Sequence, residues 1–371
     1  MEITVSRNEL LRELTATQGV IERKTTIPIL SNFLFEAVGE KLFITATDLD
    51  LSLRTSCLAQ VKKEGAFTIP ARKLYDYVKL LPDVDVALKL LENHWVSIRA
   101  GRSTTKMVGM ARANFPATPT FPTVGVVTIP AQTLRTMIAR TIFAISSEES
   151  RYTLNGALLV LKPESIAMVA TDGHRLAHIE SYKDKFDVTG ERRPLIPKKA
   201  MHELAGLLQP GEAESLEFAE DESTLFFQAG NRLLTARKLT GQFPNYEAVL
   251  PTQNTKVVVL RCDDMSGAIQ RVAQFADERS GAIRLKLDKN ELHLLANSNE
   301  MGEAEDIIET NYQEDPFTIG FNSQYLLDFL RATTAGEIRL ELKDSQSAGQ
   351  LCPAGNGDGY RYRYVVMPMR I

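Results

Sequence analysis

Phe67–Leu81, FTIPARKLYDYVKLL, is written three times in this chain. It returns as PLIPKKAMHELAGLL over Pro194–Leu208 and, more loosely, as FTIGFNSQYLLDFL over Phe317–Leu330. Aligning Ile69 with Ile196 and Ile319 gives spacings of 127 and 123 residues. That is the length of a small domain, so the repeating object is a domain and not a short motif.

Other landmarks recur in the same frame. FITATDLDL around Asp48 comes back as MVATDGHRL around Asp172, with Thr47 and Thr171 separated by 124 residues. It fades to LLANSNEM in a third copy, where Ala296 follows Ala170 by 126, and a Phe-Pro closes the first two copies at Phe115-Pro116 and Phe243-Pro244. Three units over 1–126, 127–254 and 255–371 account for nearly the whole chain.

Composition narrows the class. The chain has 371 residues, long for one hydrophobic core and comfortable for three. With 44% apolar and 24% charged residues it has the balance of an ordinary soluble protein, and no run of about 18 apolar residues offers a membrane span. The opening Met1-Glu2-Ile3-Thr4-Val5 lacks a basic head and apolar core, so a cytoplasmic location is expected. Cys57, Cys262 and Cys352 are far apart and form no CxxC, which fits free thiols in a reducing compartment. A net charge of −4 excludes a chain that is basic throughout, but not one with a positive face.

Each copy has the pattern of an α+β domain with two helices and antiparallel strands. In the first, Ser6 and Glu9 stand at capping-box spacing before a helix that presents Leu10, Leu11 and Leu14 on one face. Strands are expected over 33–38 and 41–47, and the alternation of Leu49, Leu51 and Leu53 with Asp50, Ser52 and Arg54 predicts a further half-buried strand. Leu74, Tyr77 or Val78, and Leu81 share the buried face of a second helix, with strands near 95–99 and 105–110 after it. The second copy repeats this with Leu134, Met137, Ile138 and Ile142 on its first helix, a polar loop over 146–153 and a second helix from Pro197. The third has a helix from Asp263 to Phe275, and its Gly-rich stretch 345–359 predicts a flexible hairpin loop.

No GxGxxG, GxxxxGK[ST] or GxSxG is present, and no acidic cluster recurs, so the sequence carries no catalytic set and calls for no cofactor. His174 and His178 stand at i, i+4, but they follow a strand, where that spacing separates them by about 13 Å, so a metal site is not expected. What does recur is cations at helix starts: Arg72-Lys73 and Lys198-Lys199 at matching positions, with Arg135 and Arg140 on a further helix. A charge run is most often a solvated face, yet repetition at equivalent positions aligns such charges toward phosphates. The tail Tyr364–Ile371 is apolar where chains are usually polar. It suits either a closing strand or the edge of a peptide groove.

Ala170–Leu176 (ATDGHRL), Arg151–Gly156 (RYTLNG), Phe243–Tyr246 (FPNY) and Val365–Ile371 (VVMPMRI) resemble the bacterial DNA sliding clamps, the beta subunits of DNA polymerase III, and the similarity runs end to end. The resemblance implies three domains of DNA-clamp fold. Two head-to-tail protomers would form a six-domain ring with helices lining the hole. It implies a non-catalytic processivity factor that encircles duplex DNA without sequence preference and is gripped by the replicative polymerase, the clamp loader and other proteins through short peptides. DNA contacts are then expected at Lys24, Arg72, Lys73, Arg135, Arg140, Arg151, Tyr152, Lys198 and Lys199. The peptide pocket is expected at Leu154, Thr171, Gly173, His174, Arg175, Leu176, Pro244, Val249, Asn322, Tyr325, Val365, Val366, Met367, Pro368, Met369, Arg370 and Ile371, with Arg175 orienting the peptide. The protomer interface falls to Lys73, Met107, Phe275, Glu300, Glu303 and Glu305. Ser280, Glu247, Ala248 and Gln346 depart from the larger apolar or basic residues expected around that pocket, and Thr153 replaces a second aromatic beside Tyr152. The alternative is a monomeric repeat scaffold that binds peptides without DNA.

Overall fold

The computed structural model describes residues 1–22, 25–148, 150–298, 302–355 and 359–370. The first copy runs β1 (Glu2–Ser6), α1 (Arg7–Thr17), β2 (Asn32–Val38), β3 (Lys41–Thr47), β4 (Leu51–Leu58), β5 (Gln60–Lys63), β6 (Gly65–Pro70), α2 (Ala71–Leu80), β7 (Asp85–Leu90), β8 (Trp95–Ala100) and β9 (Ser103–Val108). The second runs β10 (Val127–Pro130), α3 (Ala131–Ala139), β11 (Gly156–Lys162), β12 (Ser165–Thr171), β13 (Arg175–Ser181), β14 (Leu195–Pro197), α4 (Lys198–Leu207), β15 (Ser215–Glu220), β16 (Thr224–Ala229) and β17 (Arg232–Arg237). The third runs β18 (Lys256–Arg261), α5 (Cys262–Val272), β19 (Ala282–Asp288), β20 (Glu291–Ser298), β21 (Gly302–Glu309), β22 (Phe317–Asn322), α6 (Ser323–Ala332), β23 (Glu337–Leu342), β24 (Gly349–Pro353) and β25 (Tyr360–Val366).

These elements form two compact units, Met1–Arg135 with Lys199–Lys238, and Thr136–Lys198 with Leu239–Ile371. The first holds a five-stranded sheet, β5-β1-β7-β8-β9, and an eight-stranded one, β10-β15-β16-β17-β4-β3-β2-β6. The second holds an eight-stranded sheet, β14-β11-β12-β13-β25-β24-β23-β18, and a four-stranded one, β21-β20-β19-β22. Each eight-stranded sheet is thus shared between two copies. The seams are β4 with β17, pairing Leu51 with Ala236, and β13 with β25, pairing Arg175 with Val366. Joining strands across a seam satisfies backbone groups that a single copy would leave as an open edge.

The helices pack as their periodicity dictates. Leu10 and Leu14 of α1 and Leu74 and Val78 of α2 are fully buried, each contributing about 1.5–3 kcal/mol of transfer free energy. Several local expectations change. Ser6 makes no side-chain cap bond to α1, so the capping box is not formed. Leu49 is not in a strand: it sits at φ 85 in the turn before β4 and is exposed. Ile142 falls in a 3-10 turn, Ile142–Ala144, after α3 has ended. The expected Asp263–Phe275 helix begins at Cys262 and tightens into a 3-10 turn over Ala273–Phe275. Pro197 ends β14, and α4 begins at Lys198. The stretch 345–359 is no simple loop: Gly349–Pro353 is a strand of the eight-stranded sheet, its Gly349 facing the Phe321 ring closely enough to leave no room for a Cβ.

One buried feature had no counterpart in the expectations. Glu13, on α1, is 1% exposed and pairs with Arg232 of β17 through Nε at 3.0 Å and Nη2 at 3.1 Å. Thr55 donates to the same carboxylate, while Arg232 Nη1 and Arg12 Nη2 reach Glu212 at 2.8 and 2.9 Å. An ion pair this deep is tolerated because every charge has a partner.

Candidate functional site

The turn between β12 and β13 organises the site in the second unit. Thr171 Oγ1 donates to the Arg175 carbonyl at 2.6 Å and accepts from the Gly173 amide at 3.1 Å. Asp172 Oδ1 accepts from the amides of His174 and Arg175 at 2.9 and 3.1 Å. Side chains thereby replace the backbone partners of a tight turn. Gly173 carries φ 90, where a Cβ would also stand 2.9 Å from Arg151 Nη1. That nitrogen donates to the Asp172 carbonyl at 2.6 Å, and Arg151 Nε pairs with Glu148 at 2.8 Å.

Arg175 is the hub. Its Nε meets Asp172 at 3.0 Å, Nη1 meets Asp328 at 2.5 Å, and Nη2 donates to the Phe143 carbonyl at 2.6 Å. The guanidinium lies 4.3 Å from the Tyr325 ring centre. Burial works against its charge, but Tyr364, Asp328 and Asp172 more than offset that and raise its pKa above the ordinary arginine value. Arg175 is therefore held on three sides by groups of its own chain.

Of the expected pocket residues, Gly173, His174, Pro244, Val249, Met367 and Arg370 are exposed, and Pro368 and Met369 are half-buried. Met367 N donates to the His174 carbonyl at 2.9 Å and Met369 N to Gly320 at 2.8 Å, so the tail leaves β25 and runs onto β22. Met367 is 46% exposed, whereas Val365 and Val366 are buried strand residues. Val365 joins Leu158, Val160, Val169, Leu176, Phe243 and Tyr246 in one apolar cluster, with Leu154 half-buried against it. Thr171 and Leu176 are likewise buried. Asn322 caps α6 by accepting from the Tyr325 amide at 3.2 Å and donates to Ser280 O at 2.9 Å. Glu247, Ala248 and Gln346 are exposed. Ile371 lies outside the described residues.

The cations separate. Arg72 and Lys73 are exposed on the first turn of α2, and Tyr152 is 71% exposed. Arg135 is half-buried and donates to Gln132. Lys198 reaches the Ile145 carbonyl at 3.4 Å, while Lys199 is held by Asp48, with Glu22 at 3.5 Å. Arg140 is a correction: it is 4% exposed, with its guanidinium over the Tyr360 and Tyr362 rings at 5.4 and 5.5 Å and bonded to Thr334 at 3.0 Å. A side chain so enclosed cannot meet a phosphate. Lys24 lies outside the described residues.

Of the residues expected at a protomer interface, Met107 lies on β9, the edge of the five-stranded sheet, and Glu303 and Glu305 lie on β21, the edge of the four-stranded one. Glu305 meets His293 Nδ1 at 2.7 Å. Lys73 is exposed, Phe275 is half-buried, and Glu300 is outside the described residues. Sequence reasoning missed Phe143 and Asp328, the partners that immobilise Arg175. Only the acid set within Leu327-Asp328-Phe329 hinted at them.

Among the described residues no group of His, Cys, Asp or Glu is placed to hold a metal. His178 is buried in β13, stacked on Tyr246 at 5.6 Å, whereas His174 is exposed in the turn before that strand. No helix among the described residues is long and apolar enough to cross a membrane.

Three domain families of one protein match in series: the N-terminal domain of the DNA polymerase III beta subunit over residues 1–119, its central domain over 128–245 and its C-terminal domain over 247–370. The chain belongs to the DNA polymerase III beta subunit family. The beta sliding clamp of Pseudomonas putida is 36% identical with full coverage of both chains, and that of Chlamydia muridarum is 31% identical over 100% of this chain and 99% of its own. The crystal structure of the Pseudomonas aeruginosa beta subunit has a TM-score of 0.93 at 34% identity, covering both chains fully, and the same organism's clamp bound to griselimycin scores 0.92. As a member of this family the protein is a DNA sliding clamp, a non-catalytic subunit serving the polymerase.

Proposed function

We propose that two copies of this clamp close head to tail into a ring around duplex DNA and that the site at the β13–β25 seam holds a short peptide of the polymerase, the clamp loader or another client. The observation that carries the ring is a pair of open, oppositely charged strand edges. β9 bears Lys106, with Arg102 beside it, and β21 bears Glu303, Glu305 and Asp306. Antiparallel pairing of β9 of one copy with β21 of the next would remove both edges, and a heterologous contact of this kind closes when the rotation permits. Domains bounded near 126 and 254 then supply three modules per copy. The exposed Arg72 and Lys73 supply weak phosphate contacts that allow sliding because they read no bases. A cytoplasmic location follows from the polymerase it serves.

Retention on a nicked circular plasmid, lost when the DNA is linearised, is the expected result; equal retention on both forms would overturn the ring. A solution mass near 41.3 kDa at micromolar concentration would favour the monomeric scaffold instead. For the pocket, removing residues 367–371 leaves β25 whole and should abolish binding of an apolar client peptide; undiminished binding would place the peptide elsewhere.

A further inference from the structure

β25 alternates between two environments. Tyr360, Tyr362 and Tyr364 turn to one face, and Arg361, Arg363 and Val365 turn to the other. On that second face Arg363 stands opposite His178 and Arg361 opposite Glu180. Neither arginine closes an ion pair among the described residues, although the charge of Glu180 acts on Arg363. Arg363 Nη2 lies 3.4 Å from His178 Nδ1, its Nε is buried without a hydrogen-bond partner, and no carboxylate among the described residues comes within 4.0 Å of either guanidinium. Glu180 is engaged by the Tyr182 hydroxyl, and Glu191 is taken by Arg193 at 2.7 Å. Burial, then the neighbouring Arg363 and Arg361, hold the His178 pKa down at about 3, so the imidazole is neutral and cannot stand in for an anion. Burial and Arg361 likewise pull the Arg363 pKa below its ordinary value. A half-buried guanidinium left in this state is costly unless a ligand supplies the missing acceptor.

We propose that this face of β25 docks an acidic segment of the same partner whose apolar peptide occupies the seam pocket. The inference rests on that reading of the pocket. Two features favour a peptide over other anions. Arg361 and Arg363 are two residues apart on a strand, about 7 Å, the same spacing as alternate side chains of an extended chain laid beside them. Met367, at the pocket, is only four residues beyond Arg363, about 13 Å, so one extended segment of four or five residues joins the two places. Val365, between them, is buried beneath Phe243 and Tyr246, so the joining segment would cross over that apolar layer.

Fluorescence anisotropy with the full-length clamp tests this. Three labelled peptides share one Leu/Phe anchor: one ends there, one carries a six-residue Glu-rich extension at its N-terminus, and one carries it at its C-terminus. One of the two extensions should tighten binding about tenfold at low salt, and the gain should vanish in Arg361→Gln and in Arg363→Gln while the bare anchor binds all three proteins alike. Arg361 is exposed, so its variant folds even if the half-buried Arg363 variant does not. Gain at neither end, or gain that survives Arg361→Gln, overturns the proposal. Loss of plasmid retention in Arg361→Gln with peptide affinities unchanged would give the site to nucleic acid and also overturn it. Failure of the bare anchor to bind the unaltered clamp refutes the pocket reading, a distinguishable result.

Discussion

The β4–β17 and β13–β25 seams share a backbone plan and use opposite chemistry. In each, a Thr-Asp turn is closed by the same side-chain bonds, Thr47 to the Leu51 carbonyl and Thr171 to the Arg175 carbonyl, and the crossing strand donates to the turn from Arg237 or Met367. That register makes Glu13, Thr55 and Arg232 the counterparts of Met137, Ile179 and Tyr362. One seam encloses an ion pair. The other encloses rings: Phe329 stacks on Tyr364 at 5.3 Å, and Tyr362 gives its hydroxyl to the Arg140 carbonyl at 2.8 Å. The junction geometry therefore belongs to the backbone and its turns, and the filling is interchangeable as long as each polar group is satisfied.

That claim can be broken or sharpened in order of expected effect. Glu13→Ala should cost about 3 kcal/mol by denaturant unfolding, because the buried Arg232 loses the acceptor of its Nε and Nη2 and keeps only Glu212 at Nη1, while peptide binding at the other seam persists. Arg175→Met should cost about 2 kcal/mol, since Asp172 and Asp328 lose their shared cation although Asp328 keeps Gln324 and Arg331, and it should also abolish peptide binding. A loss of stability with affinity intact would separate seam from pocket. His178 tests the aromatic seam by pH. Its folded pKa of about 3 lies below the unfolded value, so its contribution is complete above about pH 6.5 and is lost as pH falls toward 3. His178→Phe should accordingly flatten the stability profile between pH 7 and 5, removing about 2 kcal/mol of acid sensitivity. Leu49→Gly should stabilise by about 1 kcal/mol in thermal melts, since Leu49 holds at φ 85 the place that Gly173 takes at φ 90. The smallest effect should come from the double swap Glu13→Met with Arg232→Tyr, within about 1 kcal/mol of the parent if the fillings are equivalent. A much larger loss would mean that the ion pair is specific to its seam.

Much of this was legible beforehand. The threefold period gave the copies, and the spacing of Leu74 and Val78 or of Leu134 and Met137 gave the helical faces, because burial on one face imposes its period on the sequence. Leu49 was misread because alternation reports only polarity. The turn is made by the Thr47 and Asp48 side chains, which a period-two pattern does not see. Glu13 was invisible for a related reason: an acid on a helix usually marks water, and its partner lies 219 positions away. Of the cations chosen for DNA, Arg72 and Lys73 are exposed, but Arg140 is walled in by rings and Lys199 is held by Asp48, pairings that only tertiary structure reveals.

The placement of β25 bears on how the protein is made. It lies inside its sheet, hydrogen-bonded to β13 on one side and β24 on the other, and its Arg363 stands 185 positions after its neighbour His178. A ribosome completes the β4–β17 seam once Arg237 has been added, whereas β13 waits until Tyr360–Val366 has been made before it acquires its neighbour. Nascent chains stalled short of Tyr360 should thus carry a finished first unit and an open second one, a window in which chaperones would have something to hold.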